Sequence, residues 1–449
     1  MSAPIGEIHP SAIHDLLDPL LRIPSMGGTP AETDAQLYLA ELLGNLGLEV
    51  HTWNMDLAQI TAQPDFPGME VLRTAGLGVL GIWRGTGELP GILINGHTDV
   101  VPPGNPQAWD ADPFIPRYES ISRHDSISRV DSISKNESLS ESARAGSQSA
   151  VIARGACDMK GGLIAAVQAL HTLRSQGFVP RGDIVVAPVI GEEDGGLGTY
   201  SLLKEGLPRF YPEQLLGCVI PEPTSLAIIP ANAGALTFRI RVPGAAIHAS
   251  RRSEGVSAIE KFIPILTALQ ELERQRNIDP DSLMSRWQIA YPLSIGTIAA
   301  GDWASTVPDL LVAEGRYGVA LGEKGESARM EFEECIRKAC DSDPWLSANP
   351  AVIEWWGGQF ESGTTDPRSK IVTHVSNAHE AIMRTAPEMY AAPYGSDLRL
   401  LTQMGGIPTL QYGPGDAGVA HAPNEYVTDQ ELVTTHRVMA QFLSATLGN

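Results

Sequence analysis

The chain has 449 residues, more than one hydrophobic core usually organises, so two domains are expected. A formal net charge of -21 argues against a nucleic-acid binder, which needs clustered Lys and Arg, and suits a protein whose acidic groups partly gather around cations. No run reaches the length of a membrane span, MSAPIGEIHP lacks a secretory pattern, and Cys157, Cys218, Cys335 and Cys340 form no CxxC pair or disulfide framework; a cytoplasmic protein without membrane or nucleic-acid partners is expected.

Up to about residue 229, apolar strands alternate with helices. Residues 91–95, 183–190 and 218–220 read as buried strands. Residues 159–176 read as a helix, with Leu163, Ala166, Val167 and Leu170 on one face and Gly177 as its stop. The alternation predicts an α/β fold with a mostly parallel sheet flanked by helices. Residues 119–142 break the pattern as ESISRH, DSISRV, DSISKN and ESLSES, four copies of a six-residue unit. Six residues span three strand periods, so Ile121, Ile127, Ile133 and Leu139 would line one edge of a ribbon. The serine content favours a low-complexity surface loop over 117–150 instead.

Near Asn232 the texture changes. Residues 236–242 (LTFRIRV) alternate like a one-sided antiparallel strand, 257–276 and 330–340 read as helices, and 312–319 as another strand. From about Pro350 the first texture returns, with VIEWW as a strand and helices at 369–383 and 429–447. The prediction is a larger domain, 1–229 and 346–449, into which a smaller α+β unit, 230–345, is inserted.

The residues that carry chemistry fall at predicted strand ends. INGHTDVVPPG (94–104) places His97 and Asp99 two apart, which puts both side chains on one face if the strand continues. They read as a metal ligand with its partner acid, or as a histidine capped by a nearby carboxylate. GACDMKGG (155–162) sets Asp158 at a strand-to-helix junction, with Gly161 and Gly162 permitting close backbone approach. GEEDGG (191–196) puts Glu192 and Glu193 just past one strand, PEPT (221–224) puts Glu222 just past another, and HAPNEYV (421–427) offers His421 before the last helix. Open α/β sheets build their sites at such carboxyl ends. Singly, these are a solvated glutamate pair, a helix-capping aspartate and a loop histidine. Gathered at one sheet edge, so many carboxylates would repel unless a cation sat between them. Mixed nitrogen and oxygen donors suit zinc, and also cobalt or manganese.

With these motifs the sequence resembles the co-catalytic zinc deacylase and exopeptidase family that includes acetylornithine deacetylase, succinyl-diaminopimelate desuccinylase and carboxypeptidase G. The likeness runs over nearly the whole chain, through GHTDVVPPG, WDADPF, RGACDMKGG, GEEDGG, PEPT, the HAS of the smaller unit and HAPNEYV, in the family's order. It implies that the larger domain binds metal and catalyses, and that the smaller one is a lid and dimerisation domain. It further implies two divalent metals per subunit, zinc first. His97 and Glu193 would sit on separate metals, Asp158 would bridge them, and Glu222 and His421 would complete one sphere each. Asp99 would orient His97, and Glu192 would act as general base toward a metal-activated water. His248 in AAIHAS would come from the partner subunit of a homodimer to meet charge developing on the amide oxygen; the plainer alternative is a satisfied histidine after a strand. Arg316 and Ser396 resemble substrate-side residues. Two features depart from the family: Ser305-Thr306-Val307-Pro308 stands where many members carry Asn before Val-Pro, and the repeat segment stands where relatives have a short connection. The implied reaction is hydrolysis of the amide of a small N-acyl amino acid, as in acetylornithine deacetylase. A dipeptidase or carboxypeptidase, or a deformylase acting on an N-formyl pyrimidine, comes next. A non-catalytic metal-binding dimer is remote, because Glu192 and every ligand position are filled.

Overall fold

In the computed structural model, which describes residues 8–122 and 147–448, the apolar runs become neighbouring strands of one sheet. Among the described residues six strands lie in the order Glu49–Asn54, Leu77–Trp83, Ile184–Val189, Gly91–His97, Leu215–Ile220 and Thr409–Gln411. The last four run parallel, and the first two form an antiparallel edge. Side chains alternate between the two faces: Ile92, Ile94, Ile184 and Val186 enter one core, while Leu93, Val185 and Ala187 enter the other. A parallel sheet packed on both faces needs such uninterrupted apolar strands.

The first core is closed by helices Ser11–Leu21, Ala31–Asn45, Gly161–Ser175, Lys370–Met383 and Asp429–Leu447. The last begins where the sequence predicts. Thr428 caps it by accepting from the Glu431 N–H, and its hydroxyl reaches the Glu431 carboxylate at 2.6 Å. No helix among the described residues is long and apolar enough to cross a membrane.

The smaller unit is a four-stranded antiparallel sheet, in the order Leu293–Ala300, Leu310–Val319, Gly234–Pro243 and Val352–Phe360. Helices Ala258–Arg276 and Gly325–Asp341 cover one face of it. The alternation of LTFRIRV is kept: Leu236, Phe238, Ile240 and Val242 are buried, while Arg239 and Arg241 point away and pair with Glu314 and Glu354.

Two expectations are corrected here. VIEWW belongs to Val352–Phe360, which pairs with Gly234–Pro243, so the boundary expected between 345 and 346 falls inside the smaller unit. Local periodicity specifies a strand but not the edge it joins. The expected loop over 117–150 begins and ends as strand: Arg117–Ser122 and Ser147–Ile152 pair antiparallel, and Tyr426–Thr428 joins as a third strand. Serine is tolerated where a partner strand satisfies the backbone, because strand preference depends on context. Residues 123–146, which include Ile127, Ile133 and Leu139, lie outside the described residues.

Candidate metal centre

The strand order makes the site. The His97 strand lies between the strands that precede Glu192–Glu193 and Glu222, so three carboxyl ends converge. Asp158 enters from an irregular turn, Ala156–Lys160, with φ -117° and ψ 103°, ahead of helix Gly161–Ser175. A Cβ on Gly162 would lie 1.9 Å from the Pro221 carbonyl oxygen, so only glycine lets this helix abut the Glu222 turn. His421 arrives from the loop before Tyr426–Thr428 with φ +62°, a left-handed conformation uncommon outside glycine.

His97 Nε2 lies 3.0 Å from Asp158 Oδ1 and 4.0 Å from Glu222 Oε1. His421 Nε2 lies 3.3 Å from Asp158 Oδ2 and 3.1 Å from Glu193 Oε2. Two donor sets result, His97–Asp158–Glu222 and Asp158–Glu193–His421, each with ligand atoms within 4.8 Å of one another. Asp158 is shared, one oxygen to each set. Glu192 lines the same cavity but belongs to neither set.

Burial raises the carboxyls of Glu192, Glu193 and Glu222 above their ordinary value, and neighbouring carboxylates add to the effect, Asp397 first for Glu192 and Asp158 first for Glu193 and Glu222. Burial pushes Asp158 the same way, but hydrogen bonds from His421 and His97 prevail and hold it low. Both imidazoles are raised despite burial, His97 chiefly by Asp158 and His421 by Asp158 and Glu193. Two imidazoles and three carboxylates, one shared, with His97 and Glu222 buried and His421 about half exposed, fit two divalent cations.

Asp99 differs from expectation. The His97 Nδ1–H donates to the backbone carbonyl of Asp99 at 2.9 Å, while the nearer carboxylate oxygen is 3.8 Å away. That carboxylate instead accepts from the N–H groups of Glu192 at 3.3 Å and Glu193 at 3.2 Å. The strand ends at His97, so the two-residue alternation does not carry through to Asp99.

Glu425 and Arg154 have structural roles that their sequence positions did not reveal. Glu425 Oε1 accepts from the N–H groups of Gly155, Cys157 and Asp158 at 2.9–3.0 Å. Its other oxygen meets Arg154 Nη1 at 2.5 Å, and Arg154 Nη2 donates to the His421 carbonyl at 3.2 Å. One buried ion pair therefore holds the turn of one donor and the loop of another. Both residues stand inside conspicuous motifs, RGACD and PNEYV, but a charged letter does not disclose its partner. Arg316 and Ser396 line the cavity, which measures about 450 Å³. The Ser396 hydroxyl accepts from Gln411 Nε2 at 2.6 Å and from the Leu398 N–H. His248 is not brought in by its own chain: it is exposed on the smaller unit, with Nδ1 2.8 Å from Ser250 Oγ.

Paired donor sets at the carboxyl ends of parallel strands, beside a carboxylate left out of both, define a metal-dependent hydrolase of amide or peptide bonds. Residues 135–445 match the family described as Peptidase family M20/M25/M40, and the chain belongs to it. It is 27% identical over 436 residues to an N-formyl-4-amino-5-aminomethyl-2-methylpyrimidine deformylase of Bacillus subtilis (strain 168), covering 91% of this chain and 88% of that protein. It is 26% identical over 357 residues to a protein named as a probable carboxypeptidase of Aspergillus niger, covering 79% and 73%. Among solved structures, the fold is similar to the dipeptidase Dug1p from Saccharomyces cerevisiae, with a TM-score of 0.70 at 15% identity over 96% of this chain and 95% of that one. It is also similar to the M20 family metallo-carboxypeptidase Sso-CP2 from Sulfolobus solfataricus, with a TM-score of 0.69 at 15% identity over 96% and 98%.

Proposed function

We propose that the chain hydrolyses the linear amide of a small N-acylated compound, with two divalent cations held by the donor sets that share Asp158. That sharing, one carboxylate oxygen turned to each set, carries the reading. Zinc suits these donors first, cobalt or manganese next. When bound, the two cations supply positive charge that polarises the amide carbonyl and acidifies the attacking water. His97 and Glu222 would hold one, Glu193 and His421 the other, with Asp158 available to both. The Asp99 carboxylate fixes the loop that presents Glu192 and Glu193. Glu192, bound to neither cation, takes the proton of the attacking water and returns it to the departing amine. Its burial, which raises its pKa, suits a group that must give the proton back.

His248 of a second copy would donate to the amide oxygen as charge develops there. The homodimer this requires is supported by strand Leu293–Ala300, a sheet edge with Ile298 exposed, and by Ile259, Ile263 and Trp303 exposed on the same unit. A cavity of about 450 Å³ suits a small molecule. The resemblance to acetylornithine deacetylase supports an N-acyl amino acid, and likeness to a deformylase over 91% of the chain favours a second reading, an N-formyl amine. The test is a steady-state screen of metal-loaded protein on N-acetyl, N-succinyl and N-formyl amino acids, N-formyl amines and dipeptides, with and without chelator. Chelator-sensitive release from one class supports the reading, and silence across the panel with both cations bound counts against it.

A further inference from the structure

Arg316 is the one guanidinium or ammonium among the described residues lining the cavity, and its charge is already matched. It stands on strand Leu310–Val319 of the smaller unit, with Nη2 2.9 Å from Glu70 Oε1. Glu70 reaches across from the larger unit. The same oxygen accepts from Thr237 Oγ1 at 2.9 Å and from the Gly358 N–H at 3.4 Å. Its backbone is held as well: the Glu70 N–H donates to Asp194 Oδ2 at 3.1 Å, and Asp194 is pinned in turn by the buried Arg73. A buried cation nearby, Arg399, is capped by the carbonyls of Gly195 and Ser396 and by the Phe360 ring 4.0 Å away. Arg316 thus already carries one carboxylate, and Arg399 is turned to backbone carbonyls.

Resting on the amide-hydrolase reading, we propose that Glu70 is a specificity-determining residue. By occupying Arg316 it makes the cavity select amides of uncharged, ring-bearing amines over N-acyl α-amino acids. A substrate carboxylate at Arg316 would be the second anion on one guanidinium, beside a carboxylate anchored by three donors, and like charges so placed repel. The surroundings suit a flat uncharged group: the Phe360 ring lies 5.4 Å from the Arg316 guanidinium carbon, and Pro292 and Tyr394 line the same cavity.

The test compares N-formylbenzylamine with N-formylphenylglycine, which differ only by the carboxylate, on metal-loaded wild type and Glu70→Gln. Wild type is expected to favour the neutral amide in kcat/KM by about fivefold, the size of one partly exposed charge interaction. Glu70→Gln keeps acceptors for Thr237 and Gly358 and is expected to bring the ratio near one. The change should fall on KM for the carboxylate substrate, with kcat for the neutral one within about twofold. A purely structural role would shift both substrates together. A wild-type preference for the carboxylate, or a ratio unmoved by Glu70→Gln, overturns the assignment. If neither amide is cleaved with both cations bound, the same ratio taken from calorimetric Kd values decides the role of Glu70, and silence across the wider panel counts separately against the amide-hydrolase reading.

Discussion

At the scale of single residues, the proposed roles separate holding from acting. Five side chains fall into two donor sets, and Glu192 stays outside both while buried in the same cavity. Glu192→Gln is nearly isosteric, so it should keep the fold and two bound metals while lowering kcat by about 10²- to 10⁴-fold. Steady-state kinetics with metal content measured in parallel checks this, and near-normal turnover would refute the assignment as base. Glu425 acts through others. Glu425→Ala strips three N–H groups of their acceptor and leaves Arg154 buried without its counter-charge, which should cost about 3–5 kcal/mol. Because the lost bonds position Asp158 and the His421 loop, metal affinity should weaken about 10- to 100-fold as well. Thermal melting and metal titration of the variant read the two effects separately. Undiminished metal affinity would reduce Glu425 to a stabilising role.

Between elements, the contact of helices Gly161–Ser175 and Asp429–Leu447 carries a titratable group in its core. His436 is fully buried on the second helix, with Nε2 2.8 Å from Thr172 Oγ1 on the first, and its Nδ1 has no protein partner among the described residues. Burial lowers its pKa to about 4 from an ordinary 6.5, because a charged ring there would lose its solvation. Between those values the unfolded chain binds the extra proton, so stability rises with pH. The contribution is complete above about pH 6.5 and is lost as pH falls toward 4, amounting to about 3 kcal/mol in full. Urea unfolding at pH 7.5 and pH 5 should show this loss in wild type and a smaller one in His436→Gln. Equal losses would place the acid sensitivity elsewhere.

Over the whole molecule, two units meet beside the metal centre. A Cβ on Gly68 would lie 2.0 Å from the Gly357 carbonyl oxygen, and Glu70 joins the same contact to Arg316. The smaller unit carries His248 away from the cavity of its own chain, which motivates the dimer. Sedimentation should give twice the mass of the chain, and a monomer would remove the role proposed for His248. Glu192→Gln and His248→Ala should each be nearly inactive. Mixed and re-equilibrated, they should regain about one quarter of wild-type activity, since half the dimers are hybrid and each hybrid holds one intact site. No recovery would show that His248 does not serve a partner's site.

What the sequence determined by itself was local. Apolar runs with period two announce strands, a residue just past such a run lies at a strand end, and donor type follows from side-chain chemistry. His97, Asp158, Glu192, Glu193, Glu222 and His421 stand out on those grounds as candidate donors, and Gly162 as a close approach; dividing the donors into ligands and a base rests on the family resemblance. Tertiary structure alone decided which strand lies beside which, and so placed Val352–Phe360 in the smaller sheet. It also decided which charges meet: Arg154 with Glu425 across 271 residues, and Arg316 with Glu70 across 246. The physical reason is that the environment of a charge is set by the packing of elements remote in the chain. A residue's letter states what it can bond, and only the fold brings the partner within 3 Å.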